Sequence, residues 1–229
     1  MNAEGRGVGA GGRPSPAPRI TLMCITDGRW DYLRRTIASA EEMLDYEFTC
    51  RLLVDDSGSN TDLAPQFDGW HYLKNAERRG LAGAIQAGWD ALPDCDYVFH
   101  LEDDFTFPEP VPVFEMAAAL SADPTLAQVA LMRQPWSPEE QAAGSVYRAN
   151  GSGYTRSVSS GVELVTHRKL FTFNPCLYPR SIVDYGAGLE QEVTDCLIAK
   201  GYRFSYLGAV TDPPRCIHIG AVRSAGYRW

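Results

Sequence analysis

The chain has 229 residues, 45% of them hydrophobic, with 21 Lys plus Arg against 29 Asp plus Glu, a formal charge of −8. That length suits one domain with a short tail, and about a hundred apolar residues are ample for an independent core. The composition excludes collagen-like, mucin-like and wholly disordered chains, and the acidic balance argues against nucleic acid or an anionic membrane as a partner.

Residues 1–19 are rich in Gly and Pro and nearly free of large apolar groups, so they read as a disordered tail. They contain no apolar h-region, and no stretch of the chain approaches the roughly 18 apolar residues of a membrane helix. Six scattered cysteines, with no CxxC pair, read as reduced thiols. Together these features predict a cytoplasmic protein without a membrane span.

The folded body begins with Ile20–Thr26, an apolar run that predicts a buried strand. A helical pattern carries Leu33, Ile37 and Met43. Cys50–Val54 predicts a second strand, and Trp70–Leu73 is a shorter apolar piece. Leu81–Leu92 predicts a helix, with Ile85 and Trp89 four apart. Tyr97–Leu101 predicts a third strong strand. Strands alternating with helices mean crossover units and a mainly parallel sheet, the α/β class.

In such sheets ligands bind beyond the carboxyl ends of the strands. The residues there are Thr26-Asp27-Gly28-Arg29, Asp55-Asp56-Ser57-Gly58 and Glu102-Asp103-Asp104. Three adjacent carboxylates after a buried strand repel one another and must be solvated or paired. A divalent cation resolves that conflict, because Mg²⁺ and Mn²⁺ take oxygen ligands from one or two carboxylates and from phosphates. Asp55 and Asp56 could accept hydrogen bonds from a base or a ribose, although Asp-Ser-Gly also favours an ordinary turn. Arg29 could stack on a base or pair with phosphate.

The second half is less regular. Leu126–Met132 and Phe204–Leu207 predict strands, and Glu190–Lys200 predicts a helix closed by Gly201. Residues 134–161 are rich in Gly, Ser, Pro and Gln and read as a long functional or mobile loop. Trp136 in that loop could stack on a sugar ring, and Phe171–Pro179 could wall a substrate site.

The order strand–TDGR, strand–VDDSG, RRGLAGAIQAGW, strand–HLEDDF resembles the nucleotide-sugar domain of GT-A glycosyltransferases, and glycosyltransferase family 2 most closely. The resemblance is good over residues 20–107 and looser over 108–229. It implies one GT-A domain over 20–229: a donor-binding half, then an acceptor-binding half ending in a lid (AVRSAGYRW, 221–229). It implies a nucleoside site at Asp55 and Asp56, and a donor pocket with Thr26, Arg29, Arg79, Gly80 and Leu81. Glu102 and Asp103 fall on the diphosphate. Asp104 is the implied direct ligand of Mn²⁺ or Mg²⁺, with Asp103 and with His218 of CIHIG beside it. The general base falls on Glu190 or Glu192, in GAGLEQE at a helix start, with Glu190 the closer match.

The implied reaction moves one sugar, with inversion, from a nucleoside diphosphate sugar to an acceptor hydroxyl. A UDP-sugar is favoured, and the acceptor is open among glycan, small molecule, lipid and protein. A downstream QxxRW motif, the mark of processive members, is missing. Two other readings stand beside this one. A sugar nucleotidyltransferase would carry GxGxR where this chain has TDGR. A degenerate module would bind glycan or act as a scaffold without turnover.

Overall fold

A computed structural model describes residues 16–60, 66–149 and 151–220. The disordered-tail expectation over 1–15 and the lid expectation over 221–229 lie outside these residues.

The tail boundary falls earlier than residue 19. Arg19 donates its backbone N–H to Asp96 and pairs with Asp94 and Asp96, and the Pro18 carbonyl accepts from the Tyr46 hydroxyl. Pro18 and Arg19 are therefore part of the fold.

The strands are β1 (Ile20–Thr26), β2 (Cys50–Asp55), β3 (His71–Lys74), β4 (Tyr97–Glu102), β5 (Phe105–Thr106), β6 (Leu126–Ala130), β7 (Arg133–Gln134), β8 (Thr155–Ser159), β9 (Val162–His167), β10 (Cys176–Pro179), β11 (Arg203–Leu207) and β12 (Cys216–His218). The helices are α1 (Trp30–Met43), α2 (Gly80–Asp90), α3 (Val113–Ala122), α4 (Pro138–Ala143), α5 (Val146–Ala149) and α6 (Glu190–Ala199).

Nine strands form one sheet in the order β3-β2-β1-β4-β10-β6-β11-β9-β8. Pairing is parallel from β3 through β4 and again between β6 and β11. Strands β10, β9 and β8 pair antiparallel, so the parallel character of the sheet resides in β3 through β4 and in the β6–β11 pair. Because β10 is antiparallel to both β4 and β6, the latter two run the same way. The ends of β1, β2, β4, β6 and β11 therefore share one edge.

Both faces of this sheet are covered, so its inner strands are mostly apolar, with a few buried polar residues such as His100 and Gln128. All seven residues of β1 are buried. Leu22 and Cys24 face α1 and α3 in one core layer, while Met23 and Ile25 face α2 and α6 in the other. Helix α1 buries Leu33, Thr36, Ile37 and Ala40, the spacing of one helical face. Helix α2 lies close on the sheet: a Cβ on Gly88 would come within 2.6 Å of Met23 Sδ and 3.0 Å of Val54 Cγ2.

Residues 134–161 are more ordered than their composition predicts. They hold α4, α5 and β8, and α4 begins with a capping box in which Ser137 and Glu140 exchange side-chain-to-backbone bonds. Trp136 in this segment is half-buried, its ring packed against the core layer that holds α2 and α6. The segment 171–179 is corrected. Phe171, Phe173 and Tyr178 are core side chains, since β10 is an inner strand.

Candidate functional site

Helices α1 and α2 lie on opposite faces of the sheet, so the ends of β1 and β4 flank the point where chain direction diverges. That is where doubly wound sheets place their ligands. The acidic turns after these strands meet there.

Asp103 is tied down from three sides. Its carboxylate accepts from Thr26 Oγ1 at 2.6 Å and from the Arg29 guanidinium, and its carbonyl accepts from Thr36 Oγ1 at 2.8 Å. Burial raises its carboxyl above the usual range, against the charge of Arg29 and the Thr26 bond.

Asp104 meets His218 across 114 residues of sequence, with Nε2 to Oδ2 at 3.1 Å. The small sheet β5-β12-β7 brings them together, since His218 pairs with Phe105 in register. Ile219 N–H donates to the Asp104 carbonyl at 2.8 Å. Burial alone would raise Asp104, yet the His218 bond and the charge of Arg29 hold it below the ordinary carboxylate value. Its other oxygen, Oδ1, is buried without a hydrogen-bond partner. Gly220 leaves the necessary room, since a Cβ there would sit 2.2 Å from Asp104 Oδ2 and 3.1 Å from His218 Nε2.

Arg29 was expected on a base or a phosphate. Its guanidinium instead lies 2.6 Å from Asp104 Oδ2 and 3.2 Å from Asp27 Oδ1, besides its contact with Asp103. Glu102, on the opposite face of β4, diverges from the two aspartates. Burial and the neighbouring charges of Asp104, Glu190 and Asp103 push its carboxyl well above the usual carboxylate range.

Asp55 and Asp56 do not face solvent. Asp55 Oδ1 accepts from Ser57 N–H at 2.8 Å and Oδ2 from the Tyr72 hydroxyl at 2.5 Å. Asp56 accepts from Asn75 Nδ2, Arg79 N–H and Gly80 N–H, each at 2.8 Å. It thus closes the start of α2 in the manner of a cap. Both carboxylates, expected at the nucleoside, are fully buried, and their bonds hold the turn at Ser57 and the start of α2. Arg79 is exposed at the N-cap of α2, Gly80 takes a φ of +75°, and Leu81 packs half-buried on the core.

Glu190 and Glu192 separate clearly. Glu190 Oε1 accepts from Thr172 Oγ1 at 2.9 Å and Phe173 N–H at 2.7 Å. Its Oε2 has no partner among the described residues. Its charge is one of those that raise the Glu102 carboxyl. Glu192 is exposed, and its Oε2 caps α6 by accepting from Leu189 N–H at 2.9 Å. Thr172, Asn75 and Gly220 were not singled out in the sequence, since their bearing on the site arises only through folding.

The large sheet flanked by helices on both faces has the α/β architecture of GT-A domains. The sequence matches the glycosyl transferase family 2 model over residues 22–174, so the chain belongs to glycosyltransferase family 2. No curated protein matches it. Among solved structures, GalNAc-T7 with UDP, GalNAc and Mn²⁺ aligns with a TM-score of 0.64 at 13% identity. That alignment covers 93% of this chain and 45% of that one. The mannosyltransferase PcManGT from Pyrobaculum calidifontis, in complex with GDP-Man and Mn²⁺, gives 0.60 at 17% identity, over 93% and 60%. S. aureus TarS 1–349 gives 0.57 at 12% identity, over 87% and 60%. The chain thus spans about half the length of the structures it matches, and at these identities the likeness is one of fold.

Proposed function

We propose that the chain transfers one sugar, with inversion, from a nucleoside diphosphate sugar to an acceptor hydroxyl, with a divalent cation at Asp104 and His218. The observation that carries this reading is the Asp104–His218 pair at the ends of β4 and β12, with Asp104 Oδ1 buried and unpartnered. An oxygen and an imidazole nitrogen suit Mn²⁺, and Mg²⁺ would rely more on the carboxylate. Among the described residues no three His, Cys, Asp or Glu are placed to hold a metal ion by themselves, so the remaining ligands would come from the donor and water. When bound, the cation would neutralise charge on the leaving diphosphate.

The chain's own residues supply the rest. Asp103, fixed by Thr26 and Arg29, orients the turn that presents Asp104. Asp56 holds the start of α2 against the strand edge, where Arg79 and Gly80 border the donor pocket. Asp55 holds the turn at Ser57 beside the nucleoside. Glu190 is the general base: Thr172 and Phe173 grip Oε1, and Oε2 takes the proton from the acceptor hydroxyl as it attacks. A single displacement at the anomeric carbon inverts it.

GalNAc-T7 was solved with UDP and PcManGT with GDP-Man, and we take a UDP-sugar as the donor. The test is hydrolysis and transfer by a panel of UDP-, GDP-, TDP- and CDP-sugars with Mn²⁺. Asp104→Ala abolishes turnover and keeps the fold. Full activity in that variant, or in excess chelator, would sink the metal role.

A further inference from the structure

Arg29 is the one cation that spans the acidic edge among the described residues. Its guanidinium reaches Asp27, Asp103 and Asp104 at once. The arginine side chain is 21% exposed, and the three carboxylates are 1–4% exposed. Carboxylates so close and so buried cannot all stay ionised without a cation among them. The oxygen that Nη1 contacts, Asp104 Oδ2, is also the one that faces His218 Nε2.

We propose that Arg29 is a resident counter-ion that competes with the divalent metal for Asp104, and so acts as a positioning residue for metal entry. This inference rests on the metal reading of Asp104 and His218. Without metal, Arg29 neutralises the edge and keeps the turn folded. To admit a second cation between Asp104 Oδ2 and His218 Nε2, Arg29 must yield the Nη1 contact while keeping Asp103 and Asp27. Its released N–H groups, in a planar fork suited to phosphate, then face the incoming diphosphate. Metal alone therefore binds weakly, and UDP strengthens it, because the nucleotide gives the displaced guanidinium a new partner. Coupling of this kind is reciprocal.

The experiment is calorimetric titration of Mn²⁺ into the wild type, Arg29→Gln and Arg29→Lys, each with and without UDP, beside their melting temperatures in chelator. Without UDP, Arg29→Gln binds Mn²⁺ roughly tenfold tighter than the wild type, about 1.4 kcal/mol, and melts lower in chelator. UDP tightens Mn²⁺ binding more in the wild type than in Arg29→Gln. Arg29→Lys falls between them, since one ammonium cannot span three carboxylates; it carries the comparison should Arg29→Gln not fold. Equal or weaker Mn²⁺ binding by the variants would overturn the competition and make Arg29 a mere support for Asp104. Absence of Mn²⁺ binding by all three proteins, with UDP present, would instead remove the metal reading itself.

Discussion

His100 shows how one residue can set a pH limit. It is fully buried on β4 against Phe173 and Tyr178, and neither ring nitrogen has a hydrogen-bond partner. Burial pushes its imidazole down from 6.5 to about 3. Between those values the unfolded chain binds a proton that the folded chain refuses. The stability it contributes is complete above pH 6.5 and falls as pH drops toward 3, by about 1.4 kcal/mol per unit. Urea unfolding at pH 7 and pH 5 measures it: His100→Phe loses about 2 kcal/mol less than the wild type over that interval. At pH 7 the variant is at least as stable, since it removes two unpaired buried polar atoms. An identical loss in both proteins would contradict this.

The two glutamates of the α6 start give a second test at this scale. Glu190→Gln lowers kcat by roughly 10²–10⁴-fold, the span of a lost general base, with little change in donor affinity. Glu192→Gln keeps kcat and lowers stability by about 1 kcal/mol or less, as a weakened cap should. Steady-state kinetics and thermal melts of both variants decide it. Helical spacing could not separate these residues, because what distinguishes them is Thr172 and Phe173, far upstream in the chain.

At the scale of elements, the strands with strong local patterns were legible. Ile20–Thr26 forms β1 with the expected bounds, and Tyr97–Leu101 extends by only one residue. What escaped depended on pairing. Strands β8, β9 and β10 are read only once the sheet is assembled, and 171–179 looked like an exposed aromatic wall because nothing local marks it as interior. Helix α3 (VFEMAAALSA) has an almost uniformly small and apolar pattern that marks no single face, whereas the Ser137-to-Glu140 spacing of α4 is a local capping signal. The acidic motif after β4 was visible, but its division was not: Glu102 departs to the opposite face of the strand, and Arg29 sits among the aspartates. Asp56 looked like a ligand residue because its bonds to Asn75, Arg79 and Gly80 close a loop that sequence does not display.

The fit of α2 on the sheet can be tested directly. Gly88→Val places methyl groups into Met23 and Val54, and overpacking of this kind costs about 1–3 kcal/mol. The denaturation midpoint falls accordingly. An unchanged midpoint would mean that α2 stands farther from β1 than described.

For the whole molecule, the charge of −8 proves to be unevenly placed. Five carboxylates expected at one edge do lie there, yet Asp55 and Asp56 are satisfied internally and Arg29 answers Asp103 and Asp104. What is left without a partner is Asp104 Oδ1, on the carboxylate whose other oxygen faces His218, at the strand edge of a family 2 fold. No helix among the described residues is long and apolar enough to cross a membrane. The most direct measurement of the central claim is calorimetric binding of UDP with Mn²⁺ and then in excess chelator. The account predicts binding with Mn²⁺ that weakens at least about tenfold, or 1.4 kcal/mol, on chelation. Equal UDP affinity in both conditions would contradict it.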